Sequence, residues 1–179
     1  MSALRIALLR AVNVGGRKVI MADLRAMLAA MGLGEPRTLL ASGNAIFTSD
    51  APAAELETAL EAAIQARFGL HSDVMVRTPE ECAAALASGP FQDEAKAEPA
   101  RTFVMFLKNA PAADAVASLL QAVEPMPERA AVIGREAYLH YPDGAGVSKL
   151  TNVMIERRLG VRGTARNWNT VGKLAALGG

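Results

Sequence analysis

Arg166-Asn167-Trp168-Asn169-Thr170 sets two amides around the chain's one tryptophan, with an arginine before them and Lys173 shortly after. Guanidinium, ammonium and amide groups are hydrogen-bond donors. The run falls at the expected start of the last helix, where the positive end of the helix dipole also favours an anion. This combination suits phosphate or carboxylate. The same residues equally suit a structural role, with Asn167 or Asn169 capping the helix, Trp168 packing on a sheet and Arg166 pairing with a carboxylate. Three other polar runs stand out: Arg10 with Asn13-Val14-Gly15-Gly16, Ser42-Gly43-Asn44, and Ser148-Lys149. The glycines after Arg10 fit either close approach of backbone to a ligand or a simple turn of the chain. Acids are scarce beside these runs, Asp143, Asp23 and Glu156 being the nearest.

Other chemistries find no foothold. NVGGRK follows a strand pattern but satisfies neither GxGxxG nor GxxxxGK[ST]. His71 and His140 are isolated, no HExxH or His/Cys cluster occurs, and no metal or cofactor is expected. Ser148 and Lys149 are adjacent rather than spaced as SxxK, and no GxSxG elbow is present. Phe103-Val104-Met105-Phe106 matches only the tail of an RNA-recognition motif and lies on the wrong strand for one. With aromatic residues at 4%, stacking platforms for single strands are scarce.

The elements that must carry these residues follow from apolar spacing. ALRIALLR is a nearly continuous apolar run, the pattern of a strand buried on both faces. Met21, Leu24, Leu28 and Met31 define a helix stopped by Gly32. RTLLAS and NAIFTS are short strands joined by a tight turn at Ser42-Gly43-Asn44. Leu56, Leu60, Ile64 and Phe68 form one helical stripe, closed by Gly69 before the strand SDVMVR. Thr78-Pro79-Glu80-Glu81 is a capping box opening a helix to about Ala87, and Gln92 to Ala100 reads as a linker. RTFVMFLK then starts a second series: a helix over Ala112 to Ala122, strands AAVI and AYLHY, a helix over Leu150 to Leu159, and a short strand over Val161 to Ala165. A last helix covers Trp168 to Leu177.

The order βαββαβ therefore appears twice, giving an α+β fold made of a tandem of two ferredoxin-like subdomains with extra helices. The expected division is residues 1–78, a helix and linker over 79–100, and 101–179. The repeat is one of element order, with negligible side-chain similarity between the halves. Ferredoxin-like topology brings the end of the first strand beside the turn between the second and third. It predicts that Arg10 and Asn13 converge with Asn44, and that Ser148-Lys149 approaches Arg166-Asn167.

Bulk numbers agree with a compact globular protein: 179 residues, 51% hydrophobic, 21% charged. The net charge of +1 is unevenly spread. Residues 1–49 carry six Lys/Arg and two acids, 50–128 five and thirteen, and 129–179 eight and three. The acidic middle fits solvated helices, and the basic ends leave a nucleic-acid surface open. The apolar stretch Leu4 to Leu9, interrupted by Arg5, is too short for a signal-peptide core or a membrane span. Cys82 is the one cysteine and reads as a small core residue on a helix, in keeping with a cytoplasmic location and no membrane.

LLRAVNVGGRKVIMADLRAML, TLLASGNAIF, SKL and GTARNWNTVGKL together resemble the bacterial family called domain of unknown function 1697, over essentially the whole chain. The resemblance implies the tandem of ferredoxin-like subdomains and implies no activity. Its signature positions fall on Arg10, Asn13, Gly15, Gly16, Ser42, Gly43, Asn44, Ser148, Lys149 and Arg166 to Thr170. Ala11 stands where many members have glycine.

The leading expectation is a small anionic ligand, phosphorylated or a nucleotide, held by Arg10, Asn13, Gly15, Gly16, Ser42, Asn44, Ser148, Lys149, Arg166, Asn167, Trp168, Asn169 and Lys173. The alternatives are a metal-free enzyme using Lys149 with asparagine oxyanion donors, RNA binding through the basic ends, and a purely structural clasp. No oligomeric state is implied.

Overall fold

A computed structural model describes residues 2–11, 19–39 and 43–179. Asn13, Gly15, Gly16 and Ser42 lie outside the described residues. The chain packs as two units: a first that runs to Glu81 and includes Leu177–Gly179, and a second spanning Cys82–Ala176. The elements of the first are β1 (Ala3–Leu9), α1 (Met21–Ala30), β2 (Gly34–Leu39), β3 (Asn44–Ser49), α2 (Ala53–Phe68) and β4 (Val74–Arg77). Next come α3 (Pro79–Ser88), which straddles the division, and α4 (Gln92–Ala97). The rest of the second unit is β5 (Thr102–Leu107), α5 (Ala113–Val123), β6 (Arg129–Ile133), β7 (Glu136–His140), α6 (Asn152–Leu159), β8 (Gly163–Asn167) and α7 (Trp168–Ala175).

Each unit holds a four-stranded sheet, ordered β2-β3-β1-β4 in the first and β6-β7-β5-β8 in the second. All pairings are antiparallel. The first sheet packs Ala7, Leu9, Ala45, Phe47, Val74 and Val76 against Leu24 and Leu28 of α1 and Leu56, Leu60 and Ile64 of α2. In the second, Met105, Leu107, Ala137 and Leu139 meet Leu119 and Val123 of α5 and Ile155 and Leu159 of α6. Ile6, Leu8 and Ile46 on the other face of the first sheet are buried as well, which accounts for the apolar run Ile6 to Leu9 of β1. Cys82 is buried on α3.

Helix ends follow local chemistry. Gly69 and Gly160 close α2 and α6 in the left-handed conformation, at φ +66° and +68°. Thr78 and Glu81 form the capping box: Glu81 N–H donates to Thr78 Oγ1 at 3.1 Å and Thr78 N–H to Glu81 Oε2 at 2.8 Å. Two segments differ from the sequence reading. Gln92–Ala97, expected as linker, is the short helix α4, tied at its start by Gln92 Nε2 donating to the carbonyls of Leu86 and Gly89. The last strand, expected over Val161 to Ala165, is β8 over Gly163–Asn167 and so takes in Arg166.

No helix among the described residues is long and apolar enough to cross a membrane.

Candidate anion site

Among the described residues β8 is an edge strand paired with β5 alone, and its register places Arg166 opposite Val104. Val104 in turn faces Tyr138. Cross-strand partners share a face, so the three side chains lie in a row. Arg166 is only 6% exposed, and its guanidinium donates to Thr164 Oγ1 and to the carbonyl of Ala165. Burial pushes this guanidinium down to about 10 from its ordinary 12.5, because a desolvated cation is disfavoured.

The chain turns directly from β8 into α7. Asn167 is the cap: its Oδ1 accepts from Thr170 N–H at 3.0 Å, satisfying one of the orphan amides of the first turn. Trp168 is partly buried over Gly89, where an added Cβ would stand 2.7 Å from the indole and 3.0 Å from the Tyr138 ring. Asn169 and Lys173 are exposed. Four residues apart, they share one face of α7, Asn169 in its first turn and Lys173 in its last.

Ser148 and Lys149 do not complete this cluster. Ser148 Oγ donates to Glu128 Oε1 at 2.7 Å and accepts from Leu150 N–H at 3.0 Å, which ties the segment to the start of β6. Lys149 is exposed. An acid twenty positions away in sequence thus reaches a run that looked poor in acids.

In the first unit the end of β1 lies beside the start of β3, while Asn13, expected to join Arg10 and Asn44 there, lies outside the described residues. Leu9 N–H donates to Gly43 O at 2.9 Å, and Leu8 pairs with Asn44. Arg10, half-buried, is stitched on the other side: its N–H donates to Asp73 O at 2.9 Å and its carbonyl accepts from Ser72 Oγ at 2.7 Å. Asn44 is wholly enclosed, and its Nδ2 donates to Leu39 O at 2.9 Å across the turn. Ala11 sits at φ +57°, a left-handed conformation that glycine adopts without strain.

Arg77 was not among the residues expected to matter. It ends β4 opposite Ile6, is 1% exposed, and donates from Nη1 to Val76 O at 3.1 Å. Each fourth strand thus ends in a buried arginine, a capping residue and a helix: Arg77, Thr78 and α3, then Arg166, Asn167 and α7. The halves share a side-chain feature after all. Aligning VMVRTPEE with GTARNWNT on their helix starts would have exposed it. Among the described residues no group of three His, Cys, Asp or Glu side chains is placed to hold a metal ion.

These features define an α+β protein of two four-stranded antiparallel sheets, each closed by an arginine-bearing edge strand. The family model for a protein of unknown function, DUF1697, matches residues 3–138, and the chain belongs to that family. The matched stretch includes Arg10, Asn13, Gly15, Gly16, Ser42 and Asn44 and ends before Ser148. Among solved structures the chain is similar to the conserved bacterial protein SP0830 from Streptococcus pneumoniae, at 23% identity and a TM-score of 0.74. The likeness covers 99% of this chain and 98% of that one, and it is a likeness of fold. No curated protein matches the chain.

Proposed function

We propose that the protein binds a small anionic ligand, phosphorylated or a nucleotide, at the β8–α7 junction. Arg166 supplies the charge, and Asn169, Lys173 and the amino-terminal end of α7 supply donors. The carrying observation is Arg166 itself, a guanidinium buried on an edge strand directly before the capped start of α7, with burial depressing its pKa. A desolvated cation gains more from an anionic partner than an exposed one does. Arg10 with Asn13, Gly15, Gly16 and Ser42 is the corresponding candidate in the first unit. Asn44 and Ser148 enter the proposal only as supports, since each is engaged within the protein. Trp168 and Asn167 shape the junction by packing and capping. The exposure of Lys149 gives an enzymatic reading no support, and no feature favours RNA over a small anion.

The same reading takes the chain as a cytoplasmic tandem of ferredoxin-like subdomains, residues 1–78 and 101–179 joined by 79–100. The matching strand orders and arginine-cap-helix junctions support it.

The test is a thermal-shift series with inorganic phosphate, sugar phosphates and nucleotides on the wild type, Arg166→Met and Lys173→Ala. A ligand that binds only the folded state raises the melting temperature by mass action. The expected result is a saturable rise in the wild type, lost in Arg166→Met relative to its own unliganded value and reduced in Lys173→Ala. No shift in the wild type, or equal shifts in all three proteins, would overturn the proposal.

A further inference from the structure

The two sheets have four edge strands among the described residues, and three are visibly protected. β2 carries Pro36 and a register break between Gly34 and Arg37, with Glu35 at φ +47°. On β4, Glu61 Oε1 accepts from Val74 N–H at 3.1 Å and Glu57 Oε1 from Val76 N–H at 2.9 Å. On β8, Glu156 Oε2 accepts from Gly163 N–H at 3.0 Å. Proline, bulges and side chains that occupy the outer amides are the usual means of stopping an edge from pairing with another chain.

β6 has none of these. Its sequence is Arg-Ala-Ala-Val-Ile, its five pairings to β7 are unbroken, and Ile133 is 46% exposed. Leu107 N–H donates to Arg135 O and Tyr141 N–H to Arg101 O, which turns the backbone groups of Leu139 and Ala137 toward β5 and those of Tyr138 and His140 toward β6. Alternation then points Arg129, Ala131 and Ile133 at β7 and leaves the N–H and C=O of Ala130 and Val132 on the outer side. Beside this edge runs a groove of roughly 670 Å³ between β6 and α5, with Leu120, Val123, Ala130 and Phe91 in its lining. Glu124 and Glu128 line it too, while Arg129 is paired with Glu94 and lies over the Phe91 ring at 4.6 Å.

We infer that β6 and the groove beside it receive an extended peptide segment of a partner protein, added as a fifth strand to the second sheet. An open edge beside a helix-walled apolar groove is the geometry of strand addition: backbone bonds hold the peptide and alternate side chains enter the groove. The rim chooses the chemistry. Arg129 already has a carboxylate, so Glu124 and Glu128 leave the groove acidic, and the segment alternates apolar residues with lysine or arginine. This site is separate from the anion reading and stands or falls without it.

The experiment selects short linear peptides from a displayed random library against the full chain. Affinities of the selected peptides are then measured for the wild type, Ala130→Pro, Leu120→Glu and Glu124→Lys. Ala130→Pro removes an outer donor without touching a bond to β7, and Leu120→Glu blocks the groove from an exposed helix position, so one test survives if the other variant misfolds. Expected are alternating, basic peptides whose binding weakens about tenfold or more in each variant and on N-methylation of alternate peptide amides. Failure to select peptides, or affinities unchanged by Leu120→Glu and by N-methylation, would overturn the inference. So would concentration-dependent dimerisation that Leu120→Glu abolishes, which would make a second copy the occupant.

Discussion

Arg77 and Arg166 hold the same place in two sheets. Arg77 faces Ile6 across β4 and β1, Arg166 faces Val104 across β8 and β5, and each sends Nη1 to the carbonyl of the residue before it, at 3.1 and 2.9 Å. Both are buried. A charge in such a place is costly, and an apolar side chain of similar length removes the cost while keeping the packing. Arg77→Met is therefore expected to lie within about 1 kcal/mol of the wild type or above it. Arg77→Ala, which leaves a void, should lose about 2–4 kcal/mol. Urea unfolding distinguishes the two; equal losses would mean that the charge itself holds the strand.

Glu156 covers the outward amide of Gly163, as Glu61 covers that of Val74. Glu156→Ala should cost about 1–3 kcal/mol, the penalty for a buried amide left without an acceptor. Amide exchange at Gly163 should quicken selectively, a change that a general loss of stability would spread over the whole unit.

Ala11 adopts a conformation that costs a non-glycine residue about 1–2 kcal/mol, partly offset by the greater freedom glycine brings to the unfolded chain. Ala11→Gly is expected to raise stability by up to about 1 kcal/mol, read as a higher urea midpoint at unchanged m-value.

How much of this was legible beforehand depended on the range of the cause. The stripe Leu56, Leu60, Ile64 and the apolar run of β1 are local patterns, and the corresponding elements form as read. α4 escaped because Gln-Asp-Glu-Ala-Lys-Ala has no apolar period and is held by carbonyls outside itself. The end of β8 escaped because Gly163–Asn167 is short and polar, and an edge strand takes its shape from pairing with β5. The Ser148–Glu128 bond and the burial of Arg77 arise from tertiary packing, which residue spacing does not encode. The pairing of β1 with β3, which sets Leu9 beside Gly43, was legible because strand order alone dictates it.

Alkaline pH should loosen the second unit. Burial, reinforced by Glu128, raises the Tyr141 phenol to about 12, and burial with Glu136 raises Tyr138 to about 12, against 10 for the unfolded chain. The stability these neutral phenols contribute is fully present below pH 10 and is lost as pH rises through 12. Arg166 works the other way, since its folded pKa is lowered, but two tyrosines outweigh one arginine. Tyr141→Phe should therefore flatten the loss between pH 10 and 12. At neutral pH it should cost about 1 kcal/mol for the bond its hydroxyl donates to Leu150 O. Denaturant midpoints across that range check both statements.

The placement of Trp168 over Gly89 has an optical consequence. The chain's one tryptophan and both tyrosines, Tyr138 and Tyr141, belong to the second unit. Tryptophan and tyrosine emission therefore watches that unit alone, the first holding only the weakly absorbing Phe47 and Phe68. Far-ultraviolet circular dichroism sees the backbone of both. A melt followed by the two signals together would show, without any label, whether the halves come apart in one step or two.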